Sequence, residues 1–261
     1  MARIFKFNEK GERIIMNENY EELKQLFYKI KNMGWIASHR NGNTGIGKTF
    51  EDLLNKEEDN LSLPDFKDIE IKSQRNATTS MITLFTKSPD YPKSVNTFLR
   101  ENFGNISKEY DNKKILHTTI NAQNFNTHIS GNDFKILIDK ANQRLILQVK
   151  DHKTDKIIYE NAYWSFDNIE KALNKKLQFI AVVGADEKFE NDMNYFQYNK
   201  IQLITGLTLE NFLEALENGD IFVDIRIGVY NTGKNKGKTH DHGTGFRIKL
   251  DRLLKYATVV E

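Results

Sequence analysis

Residues 63–75 read LPDFKDIEIKSQR. Ile69 and Ile71 alternate with Glu70 and Lys72. Successive side chains of a β-strand point to opposite faces, so the isoleucines are predicted to face a core while Glu70 and Lys72 share the other face. Asp65 precedes them across a tight reversal at 66–68, which brings it beside Glu70. Two carboxylates and one ammonium then converge at a strand end. Phosphodiester hydrolysis needs such parts, because the scissile phosphate is anionic and repels hydroxide. One or two Mg²⁺ ions, held by hard carboxylate oxygens, neutralise that charge and lower the pKa of a bound water. A lysine can orient or deprotonate the attacking water and offset developing negative charge. Asp65 and Glu70 are therefore the candidate metal ligands, with the backbone carbonyl of Ile71 as a third. Lys72 is the water-activating or transition-state-stabilising group. The bare spacing D-x4-E-x-K also fits an amphipathic hairpin whose charges merely face water. Pro64 ahead of Asp65 and the flanking isoleucines favour the site.

Just upstream, residues 42–49 read GNTGIGKT, a letter-for-letter match to the nucleotide phosphate loop. Such a loop follows a buried strand and opens a substantial helix. Here Ser38, His39, Arg40 and Asn41 make a polar approach, and the helix TFEDLLN gives way to the acidic stretch KEEDN. Glu51 and Asp52 would also crowd a triphosphate. Asp139 and Asp224 remain as candidate second-motif aspartates, so a nucleotide-binding protein using Gly42 to Thr49 stays as an alternative from another functional class. A glycine-rich loop can equally let backbone approach a DNA phosphate.

The wider chain predicts a helix over 19–33, where Leu23, Leu26, Phe27, Ile30 and Met33 recur at helical spacing before Gly34. A second follows Thr208 and ends at Gly219, and a short one spans 168–177. β-rich runs occupy 79–86, 113–120, 134–138, 144–149, 156–164, 178–183, 195–204 and 221–229. The fold class is α/β (α+β), with a mixed sheet and a strand-rich second half.

PDFKDIEIK resembles the PD-(D/E)xK nuclease signature. GIGKTFEDLL resembles the Gly-x-Thr-hydrophobic-Glu helix start of the MvaI/BcnI restriction endonucleases and the related mismatch-repair nickase MutH. Asp224-Ile-Arg226, followed by residues 239–248 (THDHGTGFRI), resembles the end of the MvaI/BcnI group. The three matches keep their order over about 45 to 250, most of the chain. The resemblance implies a restriction-endonuclease-like mixed central sheet flanked by helices, with a strand-rich DNA-recognition lobe. It also implies a single endonuclease domain over 1–261, with approximate lobes 1–165 (catalytic) and 166–261 (recognition). Glu51 becomes a further active-site carboxylate, at the metal site or just outside it; otherwise it is a helix N-terminal charge favoured by the macrodipole. Lys48 becomes a phosphate contact at best. The implied activity is type II cleavage of double-stranded DNA at a short CC/GG-type site, one strand at a time, by a Mg²⁺-dependent monomer. A cognate DNA methyltransferase is expected in the same host, though not as a stable complex. A MutH-like nickase and a catalytically dead DNA-binding module are the other readings.

Residues 225–256 carry eight Lys/Arg against two Asp, a local balance of +6. Within them Lys234, Lys236 and Lys238 form a flexible basic turn suited to backbone phosphates. Arg75, after the catalytic strand, is a further phosphate candidate. Asp224 and Arg226 share a strand face. Arginine pairs with guanine O6/N7 and aspartate accepts from cytosine N4, so the two side by side can read a C·G pair. By resemblance, Arg247 joins them and His240 or His242 reads near the site centre. The competing readings are a surface ion pair for Asp224–Arg226, and metal ligation or a structural role for the histidines.

Composition first points away from DNA. The 261 residues carry a net charge of +2, where a nucleic-acid binder is usually basic. Resolved along the chain, 51–70 holds eight acidic groups against two basic ones, and its −6 cancels the C-terminal +6. A metal-dependent nuclease needs both patches, so the objection lapses. The absence of cysteine excludes a disulfide scaffold, a thiol nucleophile and Cys-ligated metals. The start MARIFKFNEKGERII lacks a signal-peptide stretch, and no run approaches a membrane span. The simplest expectation is a cytoplasmic protein with no membrane partner.

Overall fold

The computed structural model describes residues 4–7, 13–16, 18–54, 63–76, 80–110 and 112–260. The acidic run at 56–60 lies outside the described residues. The fold is mixed α+β, as the sequence predicts. Contacts sort the chain into two compact units, one of 1–82, 173–207 and 254–261, the other of 83–172 and 208–253. Where the sequence lobes divide the chain once, at 165/166, these units interleave.

In the first unit, helix Glu18–Lys31 buries Tyr20, Leu23, Phe27 and Ile30. Gly34, at φ 73, lies just beyond it in the left-handed region where glycine is favoured. Met33 falls past the helix end and is 62 % exposed, so Tyr20 rather than Met33 completes the apolar stripe. The sheet runs in the order Ile36–Ala37, Met193–Thr205, Phe179–Glu190, Ile69–Arg75. The last two strands are parallel, with Phe179 beside Ile69 and Ala181 beside Ile71. Ile69–Arg75 is therefore an edge strand. Its Ile69 and Ile71 join one core with Phe27, Phe50, Ala181, Val183 and Tyr198.

The second unit holds a four-stranded sheet in the order Ile157–Ser165, Arg144–Asp151, Asn132–Asp139, Asn126–Thr127. Its other sheet runs Met81–Thr86, Gly245–Lys249, Ile221–Val229, Lys113–Ile120, Asn105–Ser107, with Thr239–Asp241 also paired to Ile221–Val229. Thr208 caps helix Leu209–Glu217, its Oγ accepting from the Asn211 N–H at 3.1 Å. Phe85, Phe212, Phe246 and Trp164 pack ring on ring in the core. The sequence reading did not assign helix Val95–Phe103 or strand Gly245–Lys249.

Candidate active site and recognition face

The reversal ahead of the edge strand forms as the sequence predicts. Phe66 and Ile69 exchange backbone hydrogen bonds of 2.9 and 2.8 Å, and Lys67 takes φ 54 at the tip. Asp65 is thereby returned to the strand, where its Oδ2 accepts from the Ile71 N–H at 3.0 Å. In an extended strand the N–H and C=O of one residue point to the same edge. The Ile71 carbonyl therefore faces the open edge that Asp65 occupies.

Glu70 is 1 % exposed. Its Oε1 accepts from Lys72 Nζ at 2.5 Å and lies 3.1 Å from Lys176 Nζ. Its Oε2 is buried with no hydrogen-bond partner. Burial pushes the Glu70 carboxyl up; Lys72 and Lys176 pull it down, while Asp65 adds to the rise. A buried carboxylate oxygen without a partner is costly unless something binds it. A hard divalent cation suits it. Among the described residues no three His, Cys, Asp or Glu side chains converge to hold an ion. An ion on Asp65 and Glu70 would complete its shell from the Ile71 carbonyl, water and substrate oxygens.

Lys176 was not singled out in the sequence. It sits in the last turn of helix Phe166–Lys176, where a basic residue reads only as favourable to the helix dipole. The fold fixes it from behind. Gly206 passes so close to Leu177 that an added Cβ would lie 1.2 Å from the Leu177 carbonyl oxygen. The Gly206 N–H also donates to the Gln178 carbonyl at 2.8 Å. No local pattern near 176 signals this packing.

Helix Gly45–Leu53 packs on the edge strand, with Phe50 in the shared core and Glu51 half-buried. A phosphate-loop geometry does not form ahead of it. The preceding strand is only Ile36–Ala37, and Lys48 Nζ is bound to Asp52 Oδ1 at 2.6 Å. Lys48 and His39 hold the Asp52 carboxyl down by hydrogen bonding. Arg75 grips Glu187 through Nε (2.5 Å) and Nη2 (2.8 Å) and lies over the Phe196 ring.

The second unit gathers the other predicted residues on strand Ile221–Val229 and its neighbours. Asp224 is 7 % exposed. Its Oδ1 accepts from Thr119 Oγ at 2.8 Å. Its Oδ2 meets Arg226 Nη2 at 2.5 Å and Arg247 Nη1 at 3.0 Å. This is a buried, shared acceptor, not the surface ion pair weighed from the sequence. It uses three of about four lone-pair directions and orients two arginine forks at once. His240 stacks on Tyr230 at 4.0 Å, and His242 lies 4.1 Å from His240. Asp241, between them in sequence, accepts instead from Ser88, Asn96 and the Gly243 N–H. Burial pushes the His242 pKa down. Exposed Lys234, Lys236 and Lys238 lie on the turn between Ile221–Val229 and Thr239–Asp241, where Gly233 and Gly237 take positive φ.

Among known proteins, residues 24–255 match the MvaI/BcnI restriction endonuclease family. The solved complex of restriction endonuclease MvaI with its cognate DNA substrate is 49% identical, with a TM-score of 0.87. That match covers 94% of this chain and 100% of the other. Restriction endonuclease MvaI in the absence of DNA gives 49% identity and a TM-score of 0.63, covering 94% of this chain and 97% of that one. A search of curated proteins returned no match.

Proposed function

The chain belongs to the MvaI/BcnI restriction endonuclease family and is a site-specific endodeoxyribonuclease; from that premise we propose a Mg²⁺-dependent hydrolysis of duplex DNA centred on Asp65, Glu70 and Lys72. The observation that carries it is Glu70, buried with one oxygen unpaired and the other held by two lysines. Asp65, Glu70 and the Ile71 carbonyl would hold the ion. When bound, Mg²⁺ supplies charge neutralisation at the phosphate and acidifies a water. Lys72 Nζ, on the same face as Glu70, orients the attacking water or takes its proton and offsets charge at the phosphorus. The product is a 5′-phosphate. Glu51 tunes the site from the packed helix.

Arg226, Arg247 and Asp224 form the base-reading group, suited to guanine O6/N7 and cytosine N4 of a short CC/GG-type site. His240 and His242 stand beside it, and Lys234, Lys236 and Lys238 contact phosphates. Likeness to MvaI bound to cognate DNA supports double-stranded DNA as the partner. The enzyme acts as a monomer; without a two-fold axis it nicks one strand and rebinds for the other. The described residues include no helix long and apolar enough to cross a membrane.

Plasmid incubated with Mg²⁺ should pass through an open circle to discrete linear fragments, and sequencing their ends gives the site. Asp65→Ala and Lys72→Ala should stop both steps. Undiminished cutting by either variant would sink the assignment.

A further inference from the structure

Beside Asp224 and Arg226 lies a groove of about 530 Å³, and its lining includes His117, Thr119, Asn126 and His128. His117 stands directly opposite Arg226 in the antiparallel register, and Thr119 opposite Asp224, so each pair leaves one face of the sheet. The His117 ring is held edge-on to Tyr110 (6.3 Å, 89°) and to His242 (6.3 Å, 80°). Neither of its nitrogens takes a hydrogen bond among the described residues. Asn126 donates to Thr118 Oγ at 2.9 Å, and its own side-chain carbonyl stays unpaired. Burial, then the neighbouring Arg226 charge, pushes the His117 pKa down. The neutral ring carries one donor and one acceptor.

Arg247, the Asp224–Arg226 pair and His117 occupy three adjacent strands. His117 lies at the level of Arg226 and one strand away, about 4.8 Å, well within the ~12 Å width of a B-DNA major groove. An exposed imidazole with free nitrogens, one strand from the Arg226 fork, has the chemistry of a base-edge contact. Buried His128 turns its ring nitrogen onto Ser130 at 2.8 Å, whereas exposed His117 keeps both nitrogens open to solvent and so to an incoming base edge.

We propose that His117 is a further specificity-determining residue, donating to purine N7 in the base pair next to the one Arg226 reads, with Asn126 lining the same groove. This rests on the assignment of that sheet face to DNA bases. The test is cleavage of a randomised duplex library by the wild type, His117→Ala, His117→Gln and Arg226→Ala, with the ends sequenced. His117→Ala should lose about 10-fold discrimination between purine and pyrimidine at one position. Its other positions and the salt slope of binding should not change, since no phosphate contact is removed. His117→Gln, whose amide also donates, should keep the purine preference. Wild-type discrimination in His117→Ala, or an equal loss at every position, overturns the proposal. If Arg226→Ala loses selectivity while His117→Ala does not, only this inference fails. If both keep wild-type selectivity, the assignment of the face falls with it.

Discussion

Glu70 in the first unit and Asp224 in the second are both buried carboxylates beside two cations, yet one is unfinished and the other complete. Glu70 leaves Oε2 with no partner, and burial dominates its raised pKa. Asp224 has both oxygens engaged, by Thr119, Arg226 and Arg247. A carboxylate completed inside the protein orients its neighbours. One left open keeps capacity for an ion and holds that capacity at a cost in stability.

The largest expected effect breaks this contrast at both ends. Glu70→Gln should abolish cleavage, by about 10³-fold or more, as for loss of a charged group acting directly on the reaction. It should nonetheless raise Tm by about 2–4 °C, the change that ~1 kcal/mol makes in a chain of this size, because a buried charge is removed. Asp224→Asn should do the reverse to stability, lowering it by about 1–2 kcal/mol as two arginine contacts lose their charged acceptor. Thermal melts of the two variants side by side decide it; a fall in both would erase the distinction.

Lys176→Met comes next. Lys176 helps hold the Glu70 carboxyl down, so its loss raises that pKa further. The acid limb of kcat against pH should move to higher pH, with cleavage at its plateau reduced about tenfold. A limb that stays in place would show that Lys72 alone sets the charge of Glu70.

The same contrast has a pH signature. His117, His128 and His242 have folded pKa values below their ordinary 6.5, chiefly through burial. The folded state then binds fewer protons than the unfolded, and stability is lost as pH falls from 6.5 through the folded values. Glu70 acts oppositely. Its folded pKa lies above 4.5, so its favourable contribution is present at low pH and lost as pH rises through the folded value. Denaturant titrations from pH 7.5 to 5.5 should show falling stability, and His242→Gln should flatten that slope. Rising stability over this range would put the histidine shifts in the wrong direction.

Strand Ile69–Arg75 was legible because its information is local. A two-residue alternation, one proline and a turn place Ile69, Glu70, Ile71 and Lys72 unaided. Strands Lys113–Ile120 and Ile221–Val229 appeared with their observed bounds for the same reason. Lys176 was not legible, because it reaches Glu70 only through the parallel pairing of Phe179–Glu190 with Ile69–Arg75 and the close pass of Gly206. His117 carries no local signal, because its place beside Arg226 comes from a register across more than a hundred residues. The pairing of Arg75 with Glu187 carries no local signal either, because Glu187 is equally remote in sequence. Motifs record what neighbours in the chain do together; they do not record which distant charge a side chain will meet.

The smallest effect separates phosphate contact from base reading within the second unit. Lys234 is exposed on the turn after Ile221–Val229, beyond the strands that carry Arg226 and His117. Lys234→Ala should weaken binding a few-fold for every sequence alike and reduce the slope of log K against log salt by about 1. Arg226→Ala should instead cost about 1–3 kcal/mol at one base pair and relax selectivity there. Binding measured at several salt concentrations on cognate and altered duplexes distinguishes them. Sequence-dependent weakening by Lys234→Ala would move that lysine from the phosphate backbone to the base edges. The basic turn would then belong to the reading face and not to its electrostatic surround.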